Sequence, residues 1–352
     1  MLVLSAEQVS RVTASFTTHH LQTIVARVFF SLSHDHHELV SPQRTAIDMP
    51  EHRVLFMPAR IPDIGTTIKV VSVPLLSADI RGIPASTLVL DEKSGATKAL
   101  VNARALTALR TAAGSVLATV ILHPPATAKF RHLVAFGAGL QISSHIRQFL
   151  DTYPSIVRIT IINRTLNARL AALLGDLQRE YPSTAFVALS SSADELEAAV
   201  RQADCICCAT SSTSPLFPSE WVRPGTHVVL VGSYKREMAE VDTALITRAR
   251  AVVVDSRAAC AVEAGELIAA GVPQAAMVEV GELLRRAPAD TEEDSWAWEP
   301  DAPRVSELLS AGTGDVTIFK TVGLGAQDVA IAVATVDRAM EMGIGTTVPD
   351  FE

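Results

Sequence analysis

The chain has only four cysteines, Cys205, Cys207, Cys208 and Cys260, and three of them crowd into one apolar stretch, "DCICCAT". A metal site draws ligands from separated segments, commonly as C-x-x-C pairs, and no such pair is present. Buried, reduced thiols are the expectation. Basic residues are also in deficit. Lys and Arg number 30 against 38 Asp and Glu, so the net charge is −8. No cationic excess exists to neutralise phosphates, which argues against nucleic acid as a partner. No apolar run approaches the length of a membrane span, and "MLVLSAEQVS" at the start lacks the basic flank and the length of a signal peptide. The expectation is a cytoplasmic protein with no membrane partner and no metal.

What is present is enough chain for two domains: 352 residues, 48% of them hydrophobic. Ser5 followed by Gln8 reads as a capping box opening a helix. "HRVLFMPAR" and "TTIKVVSVPLL" read as strands, and "STLVLDEKSGATKALV" as a hairpin turning near Gly95. "ARALTALRTAAGSVLATVIL" has apolar residues at helical spacing, and "HPPATA" breaks the chain after it. From Phe130 the pattern changes. "HLVAFGAG", "VRITIIN", "TAFVAL", "ADCICCAT", "THVVLVGS" and "RAVVVDS" are short apolar runs, mostly separated by helix-like segments. That alternation predicts a parallel sheet covered on both faces. An acidic, proline-containing segment around residues 286–305 reads as an exposed loop carrying Trp296 and Trp298. "SHDHHE" at 33–38 reads as a solvated loop despite its metal-ligand residue types. "FKTVGLGAQDVAIAVATVDRAM" reads as a Gly turn and a long helix returning to the first domain.

In "VAFGAGLQISSHIRQFL", Gly137 and Gly139 supply two glycines of a G-x-G-x-x-G pattern, the first for a tight turn and the second for close approach of a pyrophosphate. Ile142 stands where the third small residue is expected. Because the motif follows a strand, opens a helix and begins a βα series, it predicts dinucleotide binding. The second strand ends in "IINRT". Asn163 replaces the acid that would accept from a ribose 2′-hydroxyl, and Arg164 suits a 2′-phosphate through forked hydrogen bonds. NADPH is therefore favoured over NADH. In the first domain, Arg44, Lys69 and Arg110 are cations at conspicuous places, Lys69 and Arg110 within apolar segments. Each alone reads as a side chain reaching solvent. Together they suit a small anionic substrate, though spacing does not establish that they converge.

The segments "PQRTAI", "LFMPAR", "TTIKVVS", "ALTALRTAA", "FGAGLQ", "NRT", "SEWVRPGTHVVLVGS", "VVVDS", "EAGEL" and "IFKTVGLGAQD" together resemble the ornithine cyclodeaminase/mu-crystallin family, in family order and over almost the whole chain. "NRT" and "KTVGLGAQD" look closer to the mu-crystallin side. The resemblance implies an α/β protein: a Rossmann-type NAD(P)-binding domain, placed at 126–315, plus a discontinuous α+β substrate and dimerisation domain, 1–125 with 316–352. It implies a homodimer through the sheet of that second domain. Arg44, Lys69 and Arg110 would hold a substrate α-carboxylate, with Met57 and Tyr234 beside the substrate. The turn of Gly137, Ala138, Gly139, Leu140 and Gln141 would line the cofactor, with Asn163, Arg164, Thr165, Thr210, Val231 and Gly232. The Gly323–Leu324 turn would border the nicotinamide.

Two departures bear on the reaction. Cyclodeaminases carry an aspartate shortly after the glycine matching Gly232. Anchored on "EVD", that position is Tyr234. They also carry a glutamate where this chain has Leu55. Without both carboxylates, cyclodeamination is disfavoured and net reduction of a 2-imino carboxylate is expected, cyclic or formed from a keto acid and an amine. Lys69 would donate or relay the proton, or only bind carboxylate. An ornithine cyclodeaminase, an amino-acid dehydrogenase and a non-catalytic NADPH and carboxylate binder are the alternatives. Asp328 would either serve the first turn of the last helix or reach the active site.

Overall fold

The computed structural model describes residues 1–34, 38–75, 83–288 and 296–351. Half of the "SHDHHE" stretch, residues 35–37, and the middle of the acidic loop lie outside these. The chain divides into two compact units, Met1–Arg110 with Gly323–Glu352, and Thr111–Val322. Both boundaries differ from the expected ones. The first falls inside the helix Arg104–Leu122 rather than at the proline break. The second falls after Val316–Lys320, because that strand pairs within the parallel sheet of the central unit.

The two-segment unit is built on a seven-stranded sheet. Its strands run, in sheet order, Thr346–Thr347, Leu2–Leu4, Thr97–Asn102, Ala85–Leu90, Gly65–Pro74, His52–Ile61 and Thr45–Asp48. The N-terminal strand pairs antiparallel with the C-terminal one, and Met1 and Val348 exchange hydrogen bonds. Ser5 and Gln8 form the expected capping box. Gly95, at φ +74°, makes the expected hairpin turn. Alternation along the strands separates two faces. Leu55, Met57, Ala59 and Ile61 on one strand, and Thr67 and Lys69 on the next, are buried. The helix Gly325–Glu341 packs on these two strands. Gly325 permits the close approach, since a Cβ there would sit 3.1 Å from the Ala59 Cβ and 3.3 Å from the Pro58 carbonyl oxygen.

The central unit carries an eight-stranded, all-parallel sheet. Its order is Val278–Glu279, Ala249–Val254, Val316–Lys320, His227–Leu230, Cys205–Cys208, His132–Phe136, Arg158–Asn163 and Ala185–Ser190. All six apolar runs read from the sequence are strands of this sheet. The first in the chain lies in its interior and the order reverses there, which creates the switch point where such sheets bind ligands. Val316–Lys320, read above as the start of the returning segment, is instead inserted between two of the six. The expected acidic loop is also more structured, with paired strands Leu284–Ala287 and Ala297–Pro300 followed by the helix Ala302–Ala311. All four cysteines are free and buried. The helix Arg104–Leu122 is long and apolar enough to cross a membrane, contrary to the reading that no run comes close, but 78% of its apolar window is buried inside the protein.

Candidate active site

In the two-segment unit the cations do converge. Lys69 and Met57 are direct cross-strand partners on the buried face. The Lys69 ammonium lies 2.7 Å from Oδ2 of Asp328. The other carboxylate oxygen of Asp328 accepts from Nε of Arg110 at 3.2 Å, and Arg110 also donates to Oε1 of Gln327 at 3.0 Å. All three charged side chains are at most 5% exposed. Arg44, half-buried, donates to the carbonyl oxygen of Gly323 at 3.0 Å. Gly323 is at φ +80°, and a Cβ there would stand 2.9 Å from a terminal nitrogen of Arg110. Only glycine lets this turn lie against the guanidinium. The Gly323–Leu324 turn, expected beside a nicotinamide, is thus in contact with the two arginines.

Burial pushes the Lys69 ammonium down from its usual value to about 8, with Arg110 and Arg44 acting in the same sense and Asp328 opposing. The opposition comes from a residue the sequence reading left undecided. Asp328 lies in the first turn of the last helix and from there reaches both Lys69 and Arg110. Leu55 is two residues along the strand from Met57, on the same buried face. A carboxylate there would point toward the Lys69 side of the sheet, and none does.

In the central unit, Gly137 ends the first strand at φ +118°, and a Cβ there would meet the Ala209 carbonyl oxygen at 2.9 Å. Gly139 is the N-cap of the helix Leu140–Thr152, with nothing within 4 Å of the place where its Cβ would be. A tight turn, an open cradle and a helix N-terminus together fit a pyrophosphate. Ile142, in the third motif position, is buried and reaches toward Gly137. Ala138 is buried, Leu140 exposed and Gln141 half-buried in this turn. Asn163 ends the second strand and its amide donates to the Thr165 carbonyl at 2.8 Å, while Arg164 is exposed.

Thr210 and Gly232, expected to line the cofactor, are held by a residue the sequence reading used only as an anchor. Glu240, fully buried, accepts from the Thr210 amide at 2.7 Å, the Thr210 hydroxyl at 2.9 Å and the Gly232 amide at 2.6 Å. A Cβ on Gly232 would collide with the Thr210 backbone. Beside it, Glu266 lies 3.1 Å from the Lys320 ammonium and accepts a hydrogen bond from Ser233. Burial raises the Glu240 carboxyl above its usual range, and the charge of Lys320 works against that. Val231 donates its amide to Cys208. Tyr234 is partly buried against the apolar core of this unit. Glu240, Glu266 and Lys320 were visible as the acids of "EVD" and "EAGEL" and the lysine of "IFK", but no local pattern marks them as buried.

Among known proteins, the family model of ornithine cyclodeaminase/mu-crystallin matches residues 4–294. A Delta(1)-pyrroline-2-carboxylate reductase of Paracoccus denitrificans is 33% identical over 258 residues, covering 72% of this chain and 73% of the relative. The mouse ketimine reductase mu-crystallin is 30% identical over 303 residues, 84% of this chain and 83% of its own. The fold matches that of Thermococcus litoralis Delta(1)-pyrroline-2-carboxylate reductase, solved in complex with NADH and L-proline, at a TM-score of 0.80 and 23% identity over 99% of this chain and all of that one.

Proposed function

The chain belongs to the ornithine cyclodeaminase/mu-crystallin family, and on that premise we propose that it is an oxidoreductase reducing the C=N bond of a small 2-imino carboxylate, cyclic imino acids above all. One observation carries this reading: Lys69 and Arg110 are buried together and share a single carboxylate, Asp328. Two cations against one anion leave positive charge in a low-dielectric place, and Arg44 adds to it. A substrate carboxylate supplies the missing negative charge, with Arg110 and Arg44 offering forked donors to it.

A nicotinamide cofactor held by the Gly137–Gln141 turn would supply the hydride for the imine carbon, becoming oxidised in the exchange. The nitrogen gains one proton, so C=N becomes CH–NH. Lys69 is the proton source in this reading: with its ammonium lowered to about 8 it holds a proton at neutral pH and releases it readily. Leu55 and Tyr234 leave no carboxylate where a cyclodeaminase has its pair, which favours net reduction over ring closure with loss of ammonia. Met57, opposite Lys69 in the sheet, gives the pocket an apolar wall.

For the cofactor we propose NADPH. Asn163 brings no negative charge against a 2′-phosphate, and Arg164 is exposed and able to meet one. Gly137 to Gln141, with Thr165, Thr210, Val231 and Gly232, would hold the dinucleotide. We further propose a homodimer through the outer face of the seven-stranded sheet, where Phe56 pairs with Val70 and Leu88 with both Ile68 and Leu100, an apolar cross-strand ladder. Leu100 on this face is 38% exposed.

The deciding assay follows NADPH oxidation with Δ1-pyrroline-2-carboxylate, Δ1-piperideine-2-carboxylate and keto acid plus amine mixtures. Steady turnover with a cyclic imine is expected. Release of ammonia from ornithine without net oxidation would overturn the reading in favour of cyclodeamination, and binding without turnover would leave a carrier. A kcat/KM higher with NADH than with NADPH would remove the role given to Asn163 and Arg164.

A further inference from the structure

The segment Gly323–Asp328 does four separate things within six residues. Gly323 turns the chain at positive φ against the Arg110 guanidinium, and its carbonyl oxygen accepts from Arg44. Gly325 lets the helix start lie on the strand His52–Ile61. Gln327 accepts from Arg110 and from the Leu324 amide. Asp328 then reaches both Lys69 and Arg110 with its two oxygens. The segment sets where every cation of the site stands.

We propose that Asp328 is a positioning residue for imine reduction: its carboxylate keeps Lys69 in the ammonium form, aims it away from the Arg110 guanidinium, and holds Arg110 turned toward the substrate carboxylate. The inference rests on the imine-reductase reading for its catalytic part, and for the state of Lys69 on the shared carboxylate and the charges around it. The charged groups facing Lys69 are Asp328 from the last helix, Arg110 from the helix Arg104–Leu122, and Arg44 from the segment before Thr45–Asp48. The two arginines and burial all favour a neutral amine, and Asp328 alone opposes them. Without it, Lys69 would lose its proton before a substrate arrived and would have none to give to the nitrogen.

A substrate carboxylate entering the cluster acts in the same sense as Asp328. Binding therefore raises the proton affinity of Lys69 further, so the lysine is most firmly charged when the imine is in place. The coupling makes Asp328 the group that sets the alkaline edge of activity.

The test titrates Lys69 directly, by NMR of protein carrying carbon-13 at the lysine ε position, with the Lys69 signal assigned by its loss in Lys69→Met. The native protein should titrate with a midpoint near 8. In Asp328→Asn the midpoint should fall by roughly one pH unit or more, and the alkaline limb of kcat/KM for Δ1-pyrroline-2-carboxylate should fall with it, while NADPH binding is unchanged. Asp328→Glu, which keeps the charge, should hold the NMR midpoint near the native one, lower kcat, and remain informative if the asparagine variant does not fold. An unchanged midpoint in Asp328→Asn, or a midpoint in Asp328→Glu displaced as far as roughly one pH unit downward, overturns the proposal. If the native protein reduces no imine, the functional reading falls and the NMR titration still decides the role of Asp328.

Discussion

Lys69 in the two-segment unit and Lys320 in the central unit are nearly identical in burial, at 2% and 0% exposure, and each lies close to one carboxylate, at 2.7 and 3.1 Å. Their surroundings differ in sign. Around Lys69 the described neighbours are two arginines and one aspartate. Around Lys320 they include Glu266 and Glu240, two carboxylates for one cation. Glu240 is further engaged by three donors from the ends of two strands, and Glu266 by Ser233. The second cluster has negative charge to spare and, through Glu240, fixes the backbone of Thr210 and Gly232. The first is short of negative charge, which in the proposed reading a substrate carboxylate supplies. A buried lysine thus signals function only when its neighbours are counted by sign.

Replacing each lysine by methionine should break this comparison if it is wrong. Lys69→Met should lower kcat/KM for the imine by ~100-fold or more, the scale of a lost proton-transfer group, while NADPH binding followed by fluorescence stays unchanged. Lys320→Met should act on stability instead, by about 3–5 kcal/mol in urea unfolding, because Glu266 is left buried without its cation. A Lys320 variant that keeps native stability and loses turnover would place both lysines in one class. Glu240→Gln should have a smaller effect. Losing the charge on an acceptor of three donors costs roughly 1–3 kcal/mol, which should show as a rise in the NADPH Kd of about tenfold. Unchanged binding would separate Glu240 from the cofactor loops.

Acid should distinguish the units more gently. His123, His132 and His145 are lowered from 6.5 to about 4, and His227 is lowered well below its usual value, all chiefly by burial and all within the central unit. Above pH 6.5 these rings are neutral in both the folded and unfolded chain. As pH falls from 6.5 toward 4, the unfolded chain takes up protons that the folded one refuses, so stability is lost in that window. Urea midpoints at pH 7.5, 6 and 5 should fall steadily; a flat series would show that the histidines are solvated.

Much of the central unit was legible because a parallel sheet buried on both faces writes itself as continuous apolar runs, and the Gly137 turn has a required chemistry. Val316–Lys320 escaped because its place in the sheet depends on pairing with His227–Leu230 and Ala249–Val254, far earlier in the chain, not on its own pattern. In the site, Lys69 and Arg110 stood out as charges in apolar segments. What local pattern does not reveal is convergence: Arg110 and Asp328 are 218 positions apart. Asp328 looked like a helix-start charge because it is one. Lys320 closes the apolar run Val316–Lys320, and Glu240 and Glu266 adjoin Val241 and Leu267, but a single charge beside apolar residues reads equally as one reaching solvent.

The pairing of the first strand with the last has a consequence for synthesis. During translation Lys69 and Arg110 emerge long before Asp328, and the edge formed by Leu2–Leu4 waits for Thr346–Thr347. The central unit, being continuous, is complete in the nascent chain before its discontinuous companion has its closing helix. A polypeptide that ends short of that helix therefore lacks the carboxylate that Lys69 and Arg110 share.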